Sequence, residues 1–210
     1  MSEDGDGYDG YRPPHKYRED KMKGLVLQLS NGHFDIVSGS VFSAEGGEMP
    51  LLCYEENGMA YIKTDPTSEG LYNGRIVIPE SLRTESVSIS LKRCSASVCA
   101  INAGNFEAEL SESNAEFASV TARRIRFSAG RSNTVINAAP VIAAQFNCGF
   151  GNTKIYLEKS ERGYYFDTVC GAGTITLNSK KLKRTYKDGT TGGIPVNVSC
   201  GLGTVEIHNN

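Results

Sequence analysis

No apolar run in this 210-residue sequence approaches the length of a membrane span. The longest, Ala138 to Ala144, falls far short of the roughly 20 residues that cross a bilayer as a helix. The opening stretch, MSEDGDGYDGYRPPHKYRED, has no apolar segment of the kind a secretory signal needs. The chain as written is therefore expected in the cytoplasm, or in the cell envelope through an unrecognised route or partner. No CxxC pair occurs, so neither a zinc ribbon nor a thioredoxin-type motif is indicated. Six cysteines are too sparse for a disulfide scaffold. GxSxG, P-loop and HExxH motifs are all missing. His15, His33 and His208 are dispersed over tail, loop and C-terminus, whereas a metal site needs clustered ligands. No catalytic, cofactor-binding or metal-ligating residue is assigned, and the chain is expected not to be an enzyme.

Charge of one sign is also lacking. The net charge is −2, and residues 1–20 hold six acids against three bases. The remainder is close to neutral, without the basic footprint of a nucleic-acid-binding protein. Residues 1–22, with Gly, Asp, Tyr and the pair Pro13-Pro14, show no hydrophobic period and are expected to form a flexible acidic tail. Tyr8, Tyr11 and Tyr17 give that tail an alternative use as a partner-binding peptide.

What is present is alternation. LVLQL (Leu25 to Leu29), RIVIP (Arg75 to Pro79), SVSISL (Ser86 to Leu91) and RIRF (Arg124 to Phe127) are short period-2 stretches bounded by Gly, Asn, Ser and Pro. No window carries a helical stripe, so the chain reads as all-β. Superimposed on the alternation is a repeat. CGFGNTKI, CGAGTITL and CGLGTVEI begin at Cys148, Cys170 and Cys200, and AGNFEAEL from Ala103 and AGRSNTVI from Ala129 fit the same frame. The frame puts Ala108, Thr134, Thr153, Ile175 and Val205 in one inward column. Leu110, Ile136, Ile155, Leu177 and Ile207 form a second.

Self-similarity at a period of 20-odd residues predicts a single-stranded β-helix, a β-solenoid whose coils stack side chains in columns. Residues 23–210 would be the solenoid domain, with an irregular β cap over 23–80 and repeating coils over 81–210. The glycine of each phrase is expected at a sharp bend with positive φ, behind a small Ala or Cys facing the core. The insert SKKLKRTYKDGTTGG, Ser179 to Gly193, is expected to be a loop between coils.

Taken together, GRIVIPESLRTESVSISL, the glycine-punctuated ladder and the CGxGTxxI close resemble the bacterial "putative adhesin" domains of unknown function, toast-rack-like β-helices. The resemblance covers residues 24–210 and is strongest from Gly74 onward. It implies a single-stranded β-helix, an adhesin-like role and, for some members, a connection with envelope stress. It carries over no catalytic residue.

Several side chains invite chemistry. Cys148, Cys170 and Cys200 should share a column, within reach of a disulfide or a soft metal, although a small buried hydrophobe suffices to explain them. The basic segment Lys180, Lys181, Lys183, Arg184 and Lys187 with Tyr186 offers an anion site or a solvated loop. Glu107 and Glu109 point outward and ordinarily serve solubility. The expected function is a non-catalytic binding or assembly module for an unknown protein or glycan, with self-association through an uncapped C-terminal solenoid end. The alternative is a carbohydrate-active enzyme on a β-helix scaffold. A third reading is a regulatory module whose tail docks on a membrane protein.

Overall fold

The computed structural model describes residues 22–209 apart from Glu69. The acidic tail expected over 1–22 thus lies outside the described residues, except for Met22, which is buried in the core rather than part of a tail.

Strands account for nearly all regular structure. They are β1 (Gly24–Gly39), β2 (Ser43–Glu45), β3 (Leu52–Glu56), β4 (Met59–Lys63), β5 (Tyr72–Pro79), β6 (Thr84–Ser111), β7 (Asn114–Arg131) and β8 (Asn133–Phe150). There follow β9 (Asn152–Leu157), β10 (Tyr164–Cys170), β11 (Thr174–Leu177), β12 (Lys180–Lys181), β13 (Thr185–Gly189), β14 (Ile194–Cys200) and β15 (Thr204–Asn209). One 3-10 turn, Glu161–Gly163, is the sole helical element among the described residues. The sheet is open, ending at β12 on one side and β3 on the other. Among the described residues, no helix is long and apolar enough to cross a membrane.

The long strands bend and stack in parallel. Ser95 pairs with Asn114 and Asn114 with Asn133, and Thr134 pairs with Thr153. That offset of 19 residues recurs in the side-chain bonds between neighbouring strands. Bends fall where the backbone leaves extended geometry. Asn31, Arg93 and Glu112 have φ of 56°, 51° and 53°. Register shifts between Phe117/Val120 and Ala122/Arg124 mark a further bend in β7 and β8.

Alternation at these strands sends one set of side chains to a common interior. Phe106, Phe117, Phe127 and Phe146 are fully buried and touch in series, with ring centroids 5.9, 5.7 and 6.1 Å apart. Each such burial stabilises the fold by about 1.5–3 kcal/mol.

Registers align four of the five expected positions in each column and correct the first. Thr134, Thr153, Val205 and Ile175 form one inward column, and Ile136, Ile155, Ile207 and Leu177 the other. Ala108, however, faces Phe127, and Leu110 faces Ala129. AGNFEAEL is out of frame because its Ala-Gly pair turns a different corner, where Gly104 lies against the Glu85 carbonyl. Nor do the motif's first glycines owe their place to positive φ. A Cβ on Gly149 would stand 2.8 Å from the Gly130 carbonyl oxygen, so close backbone approach excludes a side chain there.

Stacking order departs from chain order at the far end. Cys200 pairs with Cys148 on one side and Cys170 on the other. β14 and β15 are therefore inserted between the earlier pair β8, β9 and the later-stacked β10, β11.

Both ends are closed by short antiparallel strands. β3 runs against β4 and β2 against β5 at one end, and β13 against β10 and β12 against β11 at the other. The expected loop Ser179 to Gly193 is thus a cap, fastened by Leu182, which is buried, and by half-buried Tyr186. The C-terminal stretch does not form the open end that the sequence suggested.

Candidate binding faces

Because side chains alternate across a strand, the residues between the core positions line up in outward rows, at the 19-residue offset from β6 to β9. One face is built by β2, β5, the second half of β1, residues 94–98 of β6, the first parts of β7 and β8, then β9, β15, β11 and β12. On it stand His33, Ser95, Asn114, Asn133 and Asn152. The Asn133 backbone N–H donates to Asn114 Oδ1 at 3.3 Å, and Asn152 N–H donates to Asn133 Oδ1 at 3.1 Å. Each amide thereby fixes the next, and the row borders a shallow hollow of about 440 Å³ that also includes Lys154. His33 belongs to β1 rather than to a loop. Its Nδ1 lies 2.7 Å from Ser95 Oγ and its Nε2 3.5 Å from Asp35.

Further along the same face Tyr156 and His208 stack at 4.9 Å with planes 18° apart. Glu206 reaches both His208 Nε2 and Lys154 Nζ at 3.5 Å. These rows escaped the sequence reading, which treated His208 as solitary. The recurrence of Asn at 114, 133 and 152 was the signal that could have revealed the ladder.

A second face joins β3, β4, the first half of β1, the two legs of β6, the second halves of β7 and β8, then β14, β10 and β13. Glu107 and Glu109 do point outward here, and Arg126 approaches Glu107 at 3.5 Å. Next to them Asn147 links its neighbours: its Nδ2 donates to Ser128 Oγ at 3.4 Å, and Ser199 Oγ donates to its Oδ1 at 3.0 Å. The row of Glu107 and Arg126 continues through Gln145 and Asn197 to Asp167, which is bridged to Lys187 at 2.8 Å. Carboxylates and bases are thus interleaved along the face rather than converging on one point.

The basic segment is divided by its place in the cap. Lys187 is held by Asp167, and Arg184 Nε donates to the Cys170 carbonyl at 3.3 Å. The Tyr186 hydroxyl donates to Asp188 at 2.8 Å, and burial with that carboxylate pushes the phenol up to about 12. Lys180, Lys181 and Lys183 remain exposed.

Cys148, Cys200 and Cys170 face the interior and carry free thiols. Burial pushes the Cys148 thiol up to about 11, with Cys200 adding to the shift and a Thr153 hydrogen bond opposing it. Burial likewise raises the Cys200 thiol, reinforced by Cys170. Such thiols are poor nucleophiles and poor ligands at neutral pH. Among the described residues, no group of three or more His, Cys, Asp or Glu is arranged to hold a metal ion.

Comparison with known proteins gives two solved structures. One is described as a "putative cell adhesion protein" from Clostridium sporogenes ATCC 15579. It is 15% identical, with 94% of this chain and 98% of that chain covered and a TM-score of 0.47. The other is a "putative adhesin" from Bacteroides fragilis NCTC 9343. It is 10% identical over 94% of this chain and 95% of that chain, with a TM-score of 0.36. Both names agree with the family resemblance read from the sequence. No family model and no curated protein matches.

Proposed function

We propose that the chain is a non-catalytic β-solenoid that works as an adhesin-like binding and assembly module, its partner a protein or a glycan at the cell envelope. The observation that carries this reading is the pair of long outward faces on which polar side chains line up strand upon strand, at a 19-residue offset from β6 to β9. Parallel stacking of the long strands, with inward columns of like residues, supports the solenoid reading. A regular row of amides and hydroxyls can hydrogen-bond a repeating polymer at many points, each weak, so that affinity comes from multivalency. Ion pairs such as Arg126–Glu107 and Lys187–Asp167 neutralise charge locally instead of concentrating it for acid–base chemistry.

The test is retention of the purified chain on arrayed surface glycans and envelope proteins, with assay of soluble glycans for new reducing or unsaturated ends. Retention without turnover, lost in Asn133→Lys, supports the reading. Turnover of any glycan would replace it with the carbohydrate-active enzyme. Protease shaving of intact cells addresses location: cleavage of the protein at the outer surface supports the envelope, and full protection points inside.

A further inference from the structure

We infer that copies of this chain join head to tail, the β2–β3 end of one docking on the β12–β13 end of the next. The inference rests on the assembly part of the proposed function and specifies its partner as a second copy.

Two observations combine. The first is geometric. Among the described residues, each end presents two strands that pair on one side alone: β3 with β4 and β2 with β5, β13 with β10 and β12 with β11. β3 and β13 terminate the same face, and β2 and β12 terminate the other. All four run opposite to the stack they close. A second copy translated along the stack therefore brings β13 beside β3 and β12 beside β2 at once, in parallel. Unpaired strand edges are templates for such addition.

The second is charge. Residues 43–68, at the first end, hold the acids Glu45, Glu48, Glu55, Glu56 and Asp65 against one base, Lys63. That lysine is occupied by the stacked rings of Tyr54 and Tyr61, its Nζ 5.2 and 5.0 Å from their centroids. Residues 179–193, at the other end, hold Lys180, Lys181, Lys183, Arg184 and Lys187 against one acid, Asp188. Glu45, Glu55, Glu56, Lys180, Lys181 and Lys183 are all exposed. Like charges forbid head-to-head and tail-to-tail pairing, while opposite charges favour head to tail. Because the two patches differ, the contact is heterologous and open-ended, so it adds copies in line instead of closing a dimer.

The test uses sedimentation velocity on the full chain and two charge-reversed variants, Lys181→Glu/Lys183→Glu and Glu45→Lys/Glu55→Lys. Wild type is expected to show concentration-dependent species beyond the monomer at low ionic strength. They should disperse at high salt, where the screening length shrinks to about 3 Å. Each variant alone should associate at least about tenfold more weakly. An equal mixture should recover association, since each variant then meets the sign it needs. Carbodiimide coupling of isotope-mixed wild type should join Glu45, Glu48, Glu55 or Glu56 of one copy to Lys180, Lys181 or Lys183 of another. A strictly monomeric wild type, variants that associate as wild type does, or a mixture that stays monomeric would overturn the inference. Ligand retention by a monomer would leave the binding module standing while this contact fails.

Discussion

Cys148 stacks on Cys200 rather than on Cys170, although Cys170 is the nearer in sequence. The Gly201 N–H donates to the Cys148 carbonyl at 2.8 Å, and the Gly171 N–H to the Cys200 carbonyl at 2.7 Å, which fixes the order. The three thiols thus form a buried line with Cys200 in the middle.

Burial sets the order of thiol reactivity. Cys53 and Cys99 are half-buried, whereas Cys94, Cys148, Cys170 and Cys200 are buried. Brief alkylation of the native chain at neutral pH should label Cys53 and Cys99 first, with the other four reacting after denaturation. Peptide mass spectrometry checks this. Early labelling of Cys200 would contradict the packing.

The Cys148 thiol carries a pH signature. Its folded value of about 11 stands above the ordinary 9.0, so the fold favours the protonated form. That stabilisation is complete below pH 9 and is lost as pH rises towards 11. Chemical denaturation across this window should show falling stability, with a shallower fall in Cys148→Ala. Alanine is already tolerated in the column at Ala129, so that variant should fold at neutral pH.

Gly149 is a test of close approach. The Cβ of Gly149→Ala would meet the Gly130 carbonyl oxygen at 2.8 Å, a backbone atom that cannot simply swing aside. A loss of about 1–3 kcal/mol is expected from such overpacking, read as a lowered denaturation midpoint. An unchanged midpoint would show that the strands separate freely there.

Thr134 should respond in the opposite direction. Its hydroxyl is buried in the inward column without a hydrogen-bond partner. Thr134→Val keeps the shape and removes the unsatisfied group, so stability should rise by up to about 1 kcal/mol. Thermal melting measures it, and a clear loss would reveal a partner for the hydroxyl.

Much of the fold was legible because alternation and glycine spacing are local signals. The columns through Thr134 and Ile136 follow from counting residues between like phrases. The misplacement of Ala108 shows the limit of that counting, since Ala-Gly serves more than one corner. Stacking order was not legible, for a repeat says which positions are equivalent and not which edge a strand joins. The cap was hidden for a related reason. KKLKR reads as a polar loop, and a single apolar residue, Leu182, supplies the anchor that makes it structure. Of the binding faces, Glu107 and Glu109 were placed by parity alone, whereas the pairing of Tyr156 with His208 depends on strands 52 positions apart.

The insertion of β14 and β15 between earlier strands has a consequence for synthesis. A nascent chain leaving the ribosome exposes β10 and β11 before the strands that join them to the rest have been made. Those strands cannot dock on β8 and β9 first without closing the gap that residues 194–209 must fill. The far third of the molecule therefore cannot accrete level by level as translation proceeds. Its strands can pair with their own caps, β10 with β13 and β11 with β12, but must wait off the stack until the layer between is made, and during that interval this part depends most on chaperones.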